Sequence, residues 1–144
     1  MDYFFKLKRA LNLKFVSKLN DLGIGTKQAA VLICATKYGP ISSAKLAGLT
    51  LSDPAAISRS VDVLIKHGLI KKMGPSADRR VCNLILTKSG KLAADKIIQI
   101  ERSIAEEFFG ILSSREQKQL ISLLDRIVEK ASGNNIKKER NNDR

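Results

Sequence analysis

A chain of 144 residues, 44% of them hydrophobic, is long enough for one packed domain and too apolar for wholesale disorder. Its 26 lysines and arginines against 14 acids give a net charge of +12, with 14 basic and 5 acidic side chains in residues 1–87 alone. That excess points to a polyanion, nucleic acid or an acidic membrane surface, with a chain merely kept soluble by lysine as the alternative that composition leaves open, whereas sparse aromatics and the absence of tryptophan argue against a base-stacking surface for single strands.

In chain order, residues 3–20 place Phe4, Leu7, Leu11, Phe15 and Leu19 at helical spacing, with Phe5, Leu13 and Val16 partly off that stripe, so this first helix is expected to meet more than one partner. Thr26 is the expected cap of a second helix that runs to Tyr38 and ends at Gly39–Pro40. Ser42 opens a very short third helix, SSAKLAGL. The stretch SDPAAISRSVDVLIKHGL then reads as a helix with clear ends. Asp53 caps it, Pro54 sits where a missing N–H costs nothing, and Gly68 supplies the left-handed stop. Ile57, Val61, Leu64 and Ile65 form its buried stripe, which turns Ala55, Ser58, Arg59, Asp62 and Lys66 outward.

After Gly68 the period changes to alternating. Residues 69–73 and 81–86 read as strands joined by the seven-residue loop GPSADRR, longer than a minimal hairpin turn. Thr87 caps a long helix extending to about Leu112. Ser113 and Glu116 have the spacing of a capping box for a last helix striped by Leu120, Leu124, Ile127 and Val128. Residues 133–144 are polar and charged, a tail expected to be disordered. The fold class is mainly α with a small β-hairpin wing. The first, fifth and last helices carry more apolar surface than a small helix-turn-helix core can cover, which implies a homodimer; an intramolecular bundle is the alternative.

No catalytic, metal or cofactor site emerges. His67, the single histidine, lacks a partner motif, and there is no metal cluster, phosphate-cradling glycine loop or nucleophile elbow. Cys34 and Cys82 have no metal spacing and form no secreted disulfide framework. The N-terminus lacks the continuous apolar core of a signal peptide and no run approaches a membrane span, so a cytoplasmic protein with no membrane partner is expected.

Asp78-Arg79-Arg80, with Leu86 the sixth residue after Arg80 opening Leu86-Thr87-Lys88-Ser89-Gly90, resembles the wing signature of the MarR family of winged helix-turn-helix transcriptional regulators. DPAAISRSVDVLIKHGLIKK is similar to that family's recognition helix and first wing strand. GPISSAKLAGLTL is similar to the preceding helix, and LNDLGIGTKQAAVL to the junction of the first two. The resemblance covers roughly residues 3–130. It implies one domain over 1–132, with a winged-helix core at about 26–87 and dimerisation helices at about 3–20 and 88–131. The partner it implies is double-stranded DNA with a palindromic operator.

On that resemblance the recognition helix, residues 53–67, enters the major groove with Pro54 at its leading end and Ala55, Ser58 and Arg59 facing bases and phosphates. There an arginine can bond bidentately to a guanine edge. The wing, residues 74–81, enters the minor groove with Arg80, which Asp78 holds by an ion pair. Arg79 and Lys72 are expected at phosphates, as is Ser42 or Ser43 at the start of the third helix. A solvated surface charge is the alternative for Arg59, and an ordinary loop ion pair for Asp78 and Arg80. Asp53 reads better as a cap than as a DNA contact, and Asp62 as an intramolecular partner of a nearby base.

The sequence departs from the family where Gln28 is followed by Ala29 rather than a large aromatic, and at Ala35, where a larger aliphatic is common. Either neighbours fill the space or there is room for the small aromatic effector that the resemblance implies. Both cysteines are expected to be buried and inert rather than redox sensors. The functional alternative is a winged-helix protein-interaction module without sequence-specific DNA binding.

Overall fold

The computed structural model describes residues 2–50, 52–73 and 83–131; the loop with Asp78, Arg79 and Arg80, together with Val81, Cys82 and the tail 133–144, lies outside the described residues. Among the described residues the order is α1 (Asp2–Asn20), α2 (Thr26–Tyr38), β1 (Ile41–Ser42), α3 (Ser43–Leu49), α4 (Pro54–Lys66), β2 (Ile70–Lys72), β3 (Asn83–Leu86), α5 (Lys88–Phe109) and α6 (Ser114–Ala131). By contacts the chain divides into two units, Met1–Ile104 and Ala105–Arg144.

In the first unit α2 is the central post. Ala29, Val31 and Leu32 are wholly buried and Ala35 nearly so, and α4 packs on both α2 and α3. Leu19, Leu46, Ile57, Leu64, Ile70, Leu84 and Ile97 complete one core. A leucine or isoleucine buried this fully contributes roughly 1.5–3 kcal/mol, so this cluster dominates the unit's stability. The stripe of α1 divides along its length: Leu19 is buried and Phe15 packs against the core, while Phe4 and Phe5 remain 61% exposed and Tyr3 84%.

The expected two-stranded wing gains a third strand. β3 lies between β1 and β2, antiparallel to both, pairing Ile41 with Leu84 and Ile70 with Leu86. β1 is only two residues long and its partner is more than forty positions away, so no local period announces it. The second helix is capped one residue earlier than expected. Gly25 is its N-cap, with the Gly25 N–H donating to Gln28 Oε1 at 3.0 Å, and Thr26 is already helical.

The second unit is simpler. The expected capping box is formed: the Ser113 N–H donates to Glu116 Oε2 at 2.8 Å, and the Ser113 hydroxyl to the same oxygen at 2.6 Å. The hydroxyl and the backbone N–H together hold the Glu116 carboxyl below the usual carboxylate range. α5 stops at Phe109 rather than Leu112; the Phe109 carbonyl accepts the Leu112 N–H at 3.0 Å, and it and the Leu112 carbonyl each accept from Gln117 Nε2 at 3.1 Å. On α6, Ile121, Leu124, Ile127 and Val128 are 43–63% exposed.

Candidate nucleic-acid interface

The outward face of α4 rests on a rigid base. Asp53 Oδ2 accepts the Ala56 N–H at 2.9 Å and Pro54 takes the first helical position. Asp53 is therefore a cap, as its sequence context implied. Between α3 and α4 the turn is closed from both sides: the Thr50 hydroxyl donates to Leu46 O at 2.7 Å, the Ser52 N–H to Ala47 O at 3.1 Å, and the Ser52 hydroxyl to Thr50 O at 3.1 Å. Ile57, Val61 and Leu64 anchor the inner face at 0–3% exposure. Ser60 is also buried, a feature without a sequence signal. Its hydroxyl donates to Ala56 O at 2.9 Å, which satisfies the group within its own helix and makes its burial tolerable.

The far end of α4 is clasped by the start of α5. Gly68, at φ 70°, turns the chain into β2. The Thr87 hydroxyl donates to Gly68 O at 2.7 Å, and the Thr87 N–H to Leu69 O at 3.0 Å. The same hydroxyl oxygen accepts the Gly90 N–H at 3.0 Å and so caps α5. A Cβ on Gly90 would lie 1.9 Å from Leu69 O, so the helix can approach the strand this closely only with glycine there. The Leu-Thr-x-x-Gly motif is thus a structural joint: Leu86 pairs with Ile70, Thr87 bonds both neighbours and Gly90 admits the contact.

The joint sets the orientation of the exposed polar groups. Pro54, Ala55, Ser58 and Arg59 are all exposed on one side of α4, and among the described residues Arg59 forms no ion pair. Lys72 is exposed on edge strand β2, opposite Leu84, and the Met73 N–H continues the ladder to Asn83 O at 2.7 Å, leading the strand toward the loop that carries Arg79 and Arg80. Ser42 and Ser43 are half-buried. Ser42 Oγ already accepts the Lys45 N–H at 3.2 Å, so toward a phosphate its hydroxyl can act as a donor. Asp62 is exposed and forms no ion pair among the described residues. Two exposed cations escaped the sequence reading: Lys71, and Lys45, whose ammonium stands 5.4 Å from the Tyr38 ring centre. The position of Lys45 three residues after the Ser42 cap was the available signal.

Among the described residues, two cavities flank this frame. One, of about 300 Å³, has apolar walls from Phe15, Ala30, Ile33, Cys34 and Leu49, with Thr26, Thr50 and Glu101 supplying its polar groups. Burial raises the Glu101 carboxyl above its ordinary value. Cys34 is half-buried on this wall rather than sealed in the core. The other cavity, of about 470 Å³, lies between Ala35, Pro40 and Ile85, with Lys91 and Asp95 of α5 at its edge. Ala35 therefore does border open space, whereas Ala29 is wholly packed by its neighbours. Among the described residues no group of three His, Cys, Asp or Glu side chains could hold a metal ion, and no helix is long and apolar enough to cross a membrane.

The sequence model of the MarR family matches residues 26–82, the stretch holding α2, the helix-turn-helix and the first wing strand. Residues 26–82 are a MarR-family domain. It is 32% identical over 100 residues to the HTH-type transcriptional repressor NicR of Pseudomonas putida, a match covering 69% of this chain and 63% of that protein. Its fold is similar to a MarR transcriptional regulator from Methanosarcina mazei, with a TM-score of 0.80 at 20% identity over 91% of this chain and 97% of the other. It is also similar to a cysteine-to-serine mutant of E. coli MarR complexed with operator DNA, with a TM-score of 0.75 at 20% identity over 88% and 91% of the two chains. These likenesses establish a MarR-type winged helix, mostly helical with a small three-stranded antiparallel sheet.

Proposed function

We propose that this chain is a sequence-specific regulator of transcription that binds double-stranded DNA as a homodimer. The observation that carries the reading is the exposed Ala55–Ser58–Arg59 face of α4, capped at one end and clasped at the other, on a chain of net charge +12. Small residues allow close approach to the major groove, Arg59 supplies a fork of donors for a guanine edge, and Ser58 a hydroxyl. Lys72, Ser42, Ser43 and Arg79 take phosphates, while Arg80, held by Asp78, takes the minor groove. The complex of E. coli MarR with operator DNA, similar in fold, supports duplex DNA as the partner. The exposed apolar face of α6 supports the homodimer, and a two-fold dimer reads a palindrome. The cavity between Phe15 and Glu101 supports release by a small effector.

The test is duplex affinity measured across a salt series. A steep linear fall of log affinity with log salt is expected, with Lys72→Ala reducing the slope by about 1. Arg80→Ala is expected to weaken duplex binding and leave the dimer and its thermal stability intact. Weak, salt-independent association would contradict the reading and leave the fold as a protein-interaction module.

A further inference from the structure

We infer that the cavity between Phe15 and Glu101 selects a cationic ligand with an apolar body, an alkyl- or arylammonium, over an aromatic acid. The inference rests on the effector reading of that cavity and adds the charge of its occupant. Three observations support it. The walls from Phe15, Ala30, Ile33 and Leu49 accept an aryl or alkyl group, and about 300 Å³ lies at the small-molecule end of the range for ligand sites. Glu101 is the single charged side chain lining the cavity, and among the described residues it has no ion-pair or hydrogen-bond partner. Glu101 is an exposed residue, yet the partial burial of its carboxyl against the cavity moves it above its ordinary value, so its charged form gains from a cation seated there.

An ammonium placed over Glu101 restores the interaction that desolvation removes, and its apolar body displaces water from Phe15 and Ile33. An aromatic acid would meet a carboxylate of its own sign. The chain as a whole favours anions through its charge of +12, so a cation preference at this cavity can arise only from the local carboxylate. The net charge and Glu101 thus predict opposite orders of affinity for a matched set of ligands.

The probes are phenethylamine, phenylacetamide and phenylacetate, which share an aryl body and differ in charge. Binding by calorimetry and release of duplex DNA are read on the full-length protein, on Glu101→Gln and on Ala30→Phe, which fills the cavity from its apolar wall. Phenethylamine is expected to bind the unaltered protein at least about tenfold more tightly than phenylacetate. Glu101→Gln is expected to bring the amine down to the amide, and Ala30→Phe to abolish binding. Glu101→Gln changes no core group, so it reads the charge preference even if Ala30→Phe does not fold. Phenylacetate binding as tightly as the amine, or a preference that survives Glu101→Gln, would overturn the inference and leave the effector reading standing. No binding by any of the three would overturn both.

Discussion

α4 and α6 are amphipathic helices of similar regularity, each begun by a side-chain cap, and their apolar faces end in opposite conditions. On α4, Ile57, Val61 and Leu64 are 0–3% exposed. On α6, Ile121, Leu124, Ile127 and Val128 are 43–63% exposed. α4 is therefore completed by its own chain, with α2 and α3 beneath it and the Thr87–Gly90 joint at its end. The C-terminal helix still has apolar surface to cover, at roughly 1–2 kcal/mol for each large side chain taken from half-exposed to buried. A completed helix and an unfinished one are what the proposed two-fold dimer requires. In that dimer the first would hold its side chains in place before DNA arrives, and the second would supply the free energy of association.

The largest expected effect breaks the joint at the end of α4. Gly90→Ala sets a methyl group against Leu69 O and should cost about 3 kcal/mol or more in urea unfolding, with duplex binding lost in parallel. A variant of unchanged stability would show that the joint is looser than its geometry. Next comes the other side of the comparison. Ile127→Glu places a charge on the exposed face of α6 and should convert dimer to monomer in sedimentation while the first unit stays folded by circular dichroism. A dimer that persists would move the association surface elsewhere, the exposed Tyr3, Phe4 and Phe5 of α1 being among the other apolar candidates.

Smaller and more specific is Arg59→Ala, which touches neither half's stability. It should cost about 1–3 kcal/mol of duplex affinity and relax base preference at matched positions in both half-sites. Equal loss on every sequence would make Arg59 a phosphate contact. The smallest effect is a pH dependence at the start of α6. Glu116, held low by the Ser113 hydroxyl, contributes stability that is complete above the unfolded glutamate value and is lost as pH falls through the lowered folded value. Ser113→Ala should reduce that acid-range dependence in thermal unfolding curves, leaving the part due to the backbone N–H.

What could be read from the sequence follows the range of the interactions. α4 was legible almost to the residue because its signals are local: Asp53, Pro54, a helical apolar period and Gly68 lie within sixteen positions. The capping box of Ser113 and Glu116 was legible for the same reason. β1 was not, since two residues carry no period and their partner strand is distant in sequence. Ser60 was not, because a buried serine satisfied by its own helix leaves no polar mark. The role of Gly90 was visible as a motif, but its reason, a carbonyl from a segment some twenty residues earlier, is a fact of three dimensions. The outward position of Arg59 was legible from the same local period, and the residue is exposed. Lys45 was missed because its position on α3 gains meaning only once Tyr38 is seen beneath it.

The central claim is that a homodimer presents two copies of the α4 face to DNA. Selection of bound sites from random duplexes, at defined salt, tests both parts together. The account predicts an enriched palindrome whose half-sites lie about one helical turn apart, and loss of preference at the same position in each half when Arg59 is replaced by alanine. Enrichment of a single, non-repeated motif, or of none, would contradict it.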